Sequence, residues 1–279
     1  PRTTSPASRR NTISLPLRLN PLPASTPPPI VQSVQPRLPS LSGDPIAFAH
    51  RGAKAHAPEN TLEAFSLALR LGANGLETDM WRTADGHIVL DHDGIVKRWG
   101  RSRPISEVPL AAIPSHIPTL EKFYEEIGTD FHFSVDVKDE EAYESIVRIS
   151  IESSFDLSKL WLCHHKVEVT LRNRVIYPDV RFVDSTRLSR MREGAERRCA
   201  LLLENGVDVL NMHHSDWNGG LVTLAHKFNL LAFSWDLQFD YVMTNHFRMG
   251  VDAIYSDYVD RLVDVYSAEV GHVPTKSQP

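Results

Sequence analysis

The chain has 279 residues, 42% hydrophobic and 23% charged, with a formal net charge of −5 and a pI near 6.2. That length buries a large core, as one α/β barrel or two small domains, and the composition is that of an ordinary globular protein. The slight negative charge offers no field for nucleic acid. Two cysteines exclude a dense disulfide scaffold and a four-cysteine zinc site, and the apolar runs are too short for a transmembrane segment.

Residues 1–44 hold ten of the nineteen prolines and five arginines against one acid. Proline fixes φ and removes amide donors, so this stretch reads as a Pro-rich extended or disordered arm. The folded domain is expected over 45–268, with 269–279 a flexible tail. Its first strand is 46–50. A helix follows, opened by Asn60 or Thr61, with Leu62, Phe65, Ala68 and Leu69 on one face; Asn60 is a candidate N-cap, with Glu63 three residues on. A second strand, 75–80, leads through the turn signal Thr83-Ala84-Asp85-Gly86 to a short run at 88–90, an extra hairpin. Residues 94–118, with prolines at 104, 109, 114 and 118, read as an irregular excursion. Thr119 then caps a helix to 127. Beyond it strands at 130–137, 160–163, 180–183, 207–212, 230–235 and 251–255 alternate with helices at 140–151, 167–174, 190–205, 219–228, up to 249, and 258–266. Strand–helix units in this number predict an α/β fold of (β/α)8 TIM-barrel type.

Barrel chemistry sits at the carboxyl ends of strands. There the sequence places His50 and Arg51 on the first strand, Glu77 and Asp79 on the second, Asp136 and Lys138 on the third, and Trp235 and Asp236 on the seventh. Glu77 and Asp79, two apart, share a strand face. Neighbouring carboxylates repel unless neutralised, which a hard divalent cation with oxygen ligands achieves. Asp136 is a third carboxylate at equivalent depth and Glu59 a candidate fourth. Taken singly, Glu-x-Asp, the Asp136–Lys138 pair or a lone histidine is as readily structural; their common location at strand ends changes the reading. His92 precedes Asp93, a carboxylate placed to orient its ring. Two histidines, a cation, an arginine and a lysine suit phosphodiester hydrolysis. The cations hold non-bridging oxygens while one imidazole takes a proton and the other gives one.

These stretches resemble the glycerophosphodiester phosphodiesterase family: Ala49-His50-Arg51-Gly52, Pro58-Glu59-Asn60-Thr61, Glu77-Thr78-Asp79, Thr83-Ala84-Asp85-Gly86, His92-Asp93, Ile117-Pro118-Thr119-Leu120 and Gly250-Val251-Asp252-Ala253-Ile254-Tyr255-Ser256-Asp257. The likeness runs from about residue 46 to 266. It implies a TIM barrel in the phospholipase C-like class, with one divalent cation, Mg2+ or Ca2+. His50 and His92 would be the general acid–base pair, and Glu77, Asp79 and Asp136 the metal ligands. Arg51, Glu59, Lys138 and Trp235 would bind substrate. The reaction implied is hydrolysis of glycerophosphodiesters, such as glycerophosphocholine or glycerophosphoethanolamine, to sn-glycerol 3-phosphate and an alcohol.

The sequence departs from the family pattern in two places. Asp136 stands where glutamate is usual, and Gln238 follows Trp235-Asp236-Leu237 where an earlier asparagine is common. The short segment between residues 93 and 117 suits an open mouth. The alternative enzyme is a phospholipase D-like hydrolase of lysophospholipid or sphingomyelin on the same fold. A binding-only barrel would be expected to have lost one of the site residues, and a glycosidase would leave Arg51, Lys138 and both histidines without a role.

Other residues have plainer readings. His164-His165 and His213-His214 are rim or loop residues, Trp161 is core, Trp81 could lean over substrate, and Trp217 is core or pocket wall. The arginines at 187, 190, 192, 197 and 198 form a solvated run on a helix, and Cys163 and Cys199 are buried thiols. Oligomeric state is open. The compartment is left between cytoplasm, the slightly simpler reading, and extracytoplasmic space.

Overall fold

The computed structural model describes residues 1–3, 37–98 and 101–274. The chain divides into two units, Pro1–Val34 and Gln35–Pro279, and every element below belongs to the second. Most of the proline-rich arm and the end of the tail lie outside the described residues.

In chain order β1 (Ile46–Ala49), α1 (Leu62–Arg70), β2 (Gly75–Arg82) and β3 (Ile88–Leu90) are followed by a hairpin, β4 (Ile95–Arg98) and β5 (Arg101–Pro104). Then come α2 (Leu120–Ile127), β6 (His132–Val137), α3 (Tyr143–Glu152), β7 (Leu160–His164), α4 (Val167–Ile176) and β8 (Arg181–Thr186). The chain closes with α5 (Ala195–Glu204), β9 (Val209–His213), α6 (Gly219–Lys227), β10 (Leu231–Trp235), α7 (Asp240–Met249), β11 (Ala253–Ser256) and α8 (Val259–Val270). Eight parallel strands run β1-β11-β10-β9-β8-β7-β6-β2, and pairing of β1 with β2 closes them into a (β/α)8 barrel, with β3 antiparallel on β2.

Strand periodicity turns this closure into a site. Inward residues recur every second position, and the registers line them up in rows across strands, Tyr255–Phe48–Gly75 in one and Asp79–Asp136–Cys163 in another. The lower barrel is filled by Ile46, Phe48, Trp161, Val183, Val209, Phe233 and Tyr255. Toward the carboxyl ends the same rows become Glu77, Asp79, Ser134, Asp136, Asn211 and Trp235. A larger apolar layer, including Phe65, Phe123, Phe133 and Phe247, joins the outer strand faces to the helices.

Low in this interior, His132 Nδ1 accepts a hydrogen bond from Trp161 Nε1 at 3.3 Å. Burial, aided by the nearby Lys159 charge, pushes the His132 pKa down to about 4. A group whose folded pKa lies below its unfolded value of about 6.5 contributes stability above pH 6.5 and loses it as pH falls toward 4. We expect His132→Gln to be less pH-sensitive than the native chain across this window, by about 2–3 kcal/mol in urea unfolding.

The structure changes several expected details. Thr61, not Asn60, is the N-cap of α1, accepting from Ala64 N. Asn60 instead takes a left-handed φ of 55° and accepts from the buried Thr78 hydroxyl at 2.7 Å. The excursion after residue 93 holds the regular β4–β5 hairpin, over a small core of Val89, Val96, Ile105, Val108 and Ile117. Trp81 packs on that core rather than over substrate; its ring closely abuts the Gly94 backbone, where a Cβ would meet it at 2.4 Å. The arginine run is not one solvated helix face. Helix α5 starts at Ala195, and Arg198 is buried, pairing with Asp184 at 2.8 Å. Trp161 and Trp217 are core, and both cysteines are buried free thiols. No helix among the described residues is long and apolar enough to cross a membrane.

Candidate active site

The carboxyl ends of the strands open into a cavity of about 510 Å³, the size of a small-molecule site. His50, Arg51, Glu77, Asp79, His92, Asp136, Lys138 and Trp235 all line it, together with Lys54, Asp236, Gln238 and Asp257. Glu59 is not among the lining residues. It stands behind Arg51 and Lys54, with ion-pair distances of 3.2 Å and 3.3 Å.

The turn after β1 explains why His-Arg-Gly is written together. Arg51 and Gly52 both adopt left-handed φ, 52° and 78°, which reverses the chain and points the Arg51 N–H at Glu77 Oε2, 2.9 Å away. A Cβ at position 52 would lie 2.7 Å from the Ala64 backbone carbon of α1. Gly52→Ala should therefore cost at least about 2 kcal/mol in denaturant unfolding, from left-handed strain plus overpacking.

His50 is held from two sides. Its Nδ1 lies 2.6 Å from Asp257 Oδ1, and its Nε2 lies 3.8 Å from Glu77 Oε2. Burial works to lower the His50 pKa, but the Glu77 and Asp257 carboxylates outweigh it and raise it. Burial and the adjacent Asp79 charge push Glu77 up to about 7, against the opposing pull of His50. His92 Nδ1 meets Asp93 Oδ1 at 2.9 Å, as its sequence neighbour suggested. The Lys138 ammonium bridges Asp79 Oδ1, at 2.9 Å, and Asp136. Burial lowers the pKa of this lysine, but the two acids outweigh it and raise it. Arg51 Nε is 3.3 Å from Asp79 Oδ2. That oxygen is buried without an aligned hydrogen-bond donor.

Asp257, which lines the cavity and holds His50 Nδ1, is the residue that sequence reasoning quoted within a motif without assigning it a role. It sits two residues past the inward Tyr255, so strand parity aims it into the mouth. Asp257→Asn should lower kcat by about tenfold or more and move the His50 limb of the pH–rate profile to lower pH, because a charge that raises that pKa is gone.

One further cluster stands at the rim. His213, His214 and Asp236 present ligand atoms within 4.8 Å of one another, a group able to hold a metal ion.

The sequence model of the glycerophosphoryl diester phosphodiesterase family matches residues 50–261. The chain is 27% identical over 240 residues to a Bacillus subtilis protein assigned as a glycerophosphodiester phosphodiesterase, covering 77% of this chain and 96% of the relative. It is 25% identical over 247 residues to a glycerophosphodiester phosphodiesterase of Caldanaerobacter subterraneus, covering 79% and 97%. Among solved structures, the Oleispira antarctica phosphodiesterase in complex with the product sn-glycerol-3-phosphate superposes with a TM-score of 0.68 at 21% identity, over 80% of this chain and 97% of that one. At that identity the superposition speaks for the barrel alone. The match over residues 50–261, from the end of β1 into α8, is what decides the assignment: this chain belongs to the glycerophosphoryl diester phosphodiesterase family and is a hydrolase of glycerophosphodiesters.

Proposed function

We propose that the cavity binds the phosphate of a glycerophosphodiester between Arg51 and Lys138 and that His50 and His92 carry the two proton transfers. The observation that carries this reading is the charge inventory. Five carboxylates, Glu77, Asp79, Asp136, Asp236 and Asp257, line the cavity against three cations, Arg51, Lys54 and Lys138. An anionic substrate is disfavoured beside so many carboxylates, even with Glu77 partly protonated, and a further cation relieves that repulsion. The buried, unaligned Asp79 Oδ2 and the strained ionisation of Glu77 support an oxygen-ligand site for a hard ion. Glu77, Asp79 and Asp136 would hold a Mg2+ or Ca2+ ion, which supplies positive charge to the phosphoryl oxygens.

The remaining work belongs to the side chains. Arg51 and Lys138 supply donors to non-bridging oxygens. One imidazole accepts a proton from the attacking water as its oxygen bonds to phosphorus, and the other returns one to the departing alkoxide as its P–O bond breaks, giving sn-glycerol 3-phosphate and an alcohol. Asp257 and Asp93 keep the two rings oriented through their Nδ1 atoms. Trp235 forms an apolar wall.

The test is a substrate panel of glycerophosphocholine, glycerophosphoethanolamine and lysophosphatidylcholine with Mg2+, Ca2+ and Mn2+ in turn. Release of sn-glycerol 3-phosphate from the first two is expected; faster turnover of the lysolipid would favour the phospholipase D-like reading. One observation points that way: Phe239 and Tyr241, following Gln238, stack on each other while 58% and 69% exposed, as a contact for an acyl chain would.

A further inference from the structure

We propose that His213, His214 and Asp236 form a second cation site at the mouth of the cavity, selective for a borderline transition ion such as Zn2+ over Mg2+ and Ca2+. The inference is independent of how the carboxylates of the hydrolytic site are read. Two imidazole nitrogens and one carboxylate oxygen are the donor set of zinc, cobalt and nickel, whereas magnesium and calcium take oxygen.

The geometry is already close to a ligand shell. The chain leaves β9 at His213 and enters a 3-10 turn, His214–Asp216. That turn brings the rings of two adjacent residues to the same side, with centroids 4.3 Å apart. From the next strand, Asp236 reaches across with Oδ2 3.0 Å from His213 Nε2. Asp236 takes a left-handed φ of 65°, and its other oxygen is engaged by Gln238 Nε2 at 3.2 Å, which leaves Oδ2 for an ion.

Ser215 makes His213 convertible. Its amide N–H donates to His213 Nδ1 at 3.2 Å and its hydroxyl lies 2.8 Å from the same nitrogen, so in this arrangement Nε2 carries the ring proton and donates it to Asp236. For Nε2 to present its lone pair to an ion, its proton must be replaced by one on Nδ1, with the Ser215 hydroxyl turned to accept from Nδ1–H and the Ser215 amide bond to that nitrogen given up. No hydrogen bond to the His214 ring is formed among the described residues, while its carbonyl accepts from His246 Nε2 at 3.2 Å and anchors the turn. Trp235 stands edge-on to His213 at 4.6 Å and closes one side. Three protein donors leave coordination positions for water. Because Asp236 lines the catalytic cavity, an occupied site cancels one of its negative charges and so alters the wall that a leaving group meets.

The test titrates Co2+ into the untagged full chain and follows its visible d–d bands, with Zn2+ and Mg2+ as competitors. The bands are expected to appear, to be displaced by Zn2+ and to persist in excess Mg2+. His213→Gln and His214→Gln should each weaken Co2+ about tenfold or more, and Ser215→Ala about tenfold. Glu77→Gln should leave the bands unchanged. Bands indifferent to both histidine variants, displaced by Mg2+ or lost in Glu77→Gln would overturn the proposal by placing the ion elsewhere. Asp236→Asn, whose side chain is 49% exposed, gives a second variant should a histidine substitution unfold the turn. It too must weaken Co2+ binding for the proposal to stand.

Discussion

His50→Ala and His92→Ala should each lower kcat for glycerophosphocholine by about 10²–10⁴, the range of a lost general acid or base. Both rings line the cavity and each has a carboxylate at Nδ1, Asp257 for His50 and Asp93 for His92. Neither ring belongs to the apolar barrel filling, so circular dichroism and the urea midpoint should stay close to those of the native chain. The two losses should not add in the double variant, because groups that share one proton-transfer cycle act as a unit. Native turnover by either single variant would end the acid–base assignment.

Exhaustive chelation is expected to abolish hydrolysis, with recovery on adding back Mg2+ or Ca2+. The reason is electrostatic: without a hard cation the cavity keeps its carboxylate surplus, and a phosphodiester anion is repelled. Lys138 already bridges Asp79 and Asp136. Asp79→Asn therefore removes a prospective ion ligand and a lysine partner together, and should raise the metal concentration needed for half-activity by about tenfold or more. Full activity after chelation, measured as release of sn-glycerol 3-phosphate, would remove the ion from the reaction.

The barrel was legible because hydrophobic alternation and capping residues act locally. Thr119 caps α2 as its position announces, accepting from Lys122 N. The alternating units end where the apolar runs end, within a few residues. Reading failed where the decisive contact is distant in sequence. Asn60 resembles a cap, yet Thr78, eighteen positions on, claims its side chain. Trp81 looked like a substrate wall until the β4–β5 hairpin folded over it, and Arg198 looked solvated until Asp184 took it into the interior.

The candidate site divides in the same way. By itself the sequence determined which residues face inward at the strand ends, since a period of two places Glu77 and Asp79 on one face whatever surrounds them. It also determined the Asp93 partner of His92, one residue away. Only the tertiary structure decided that Asp257, 207 positions from His50, would hold that ring, that Lys138 would stand between two acids, and that Asp236 would reach His213. Those pairings arise from barrel closure, which brings strands far apart in the chain into register, and no local pattern encodes which loops will then meet across the mouth.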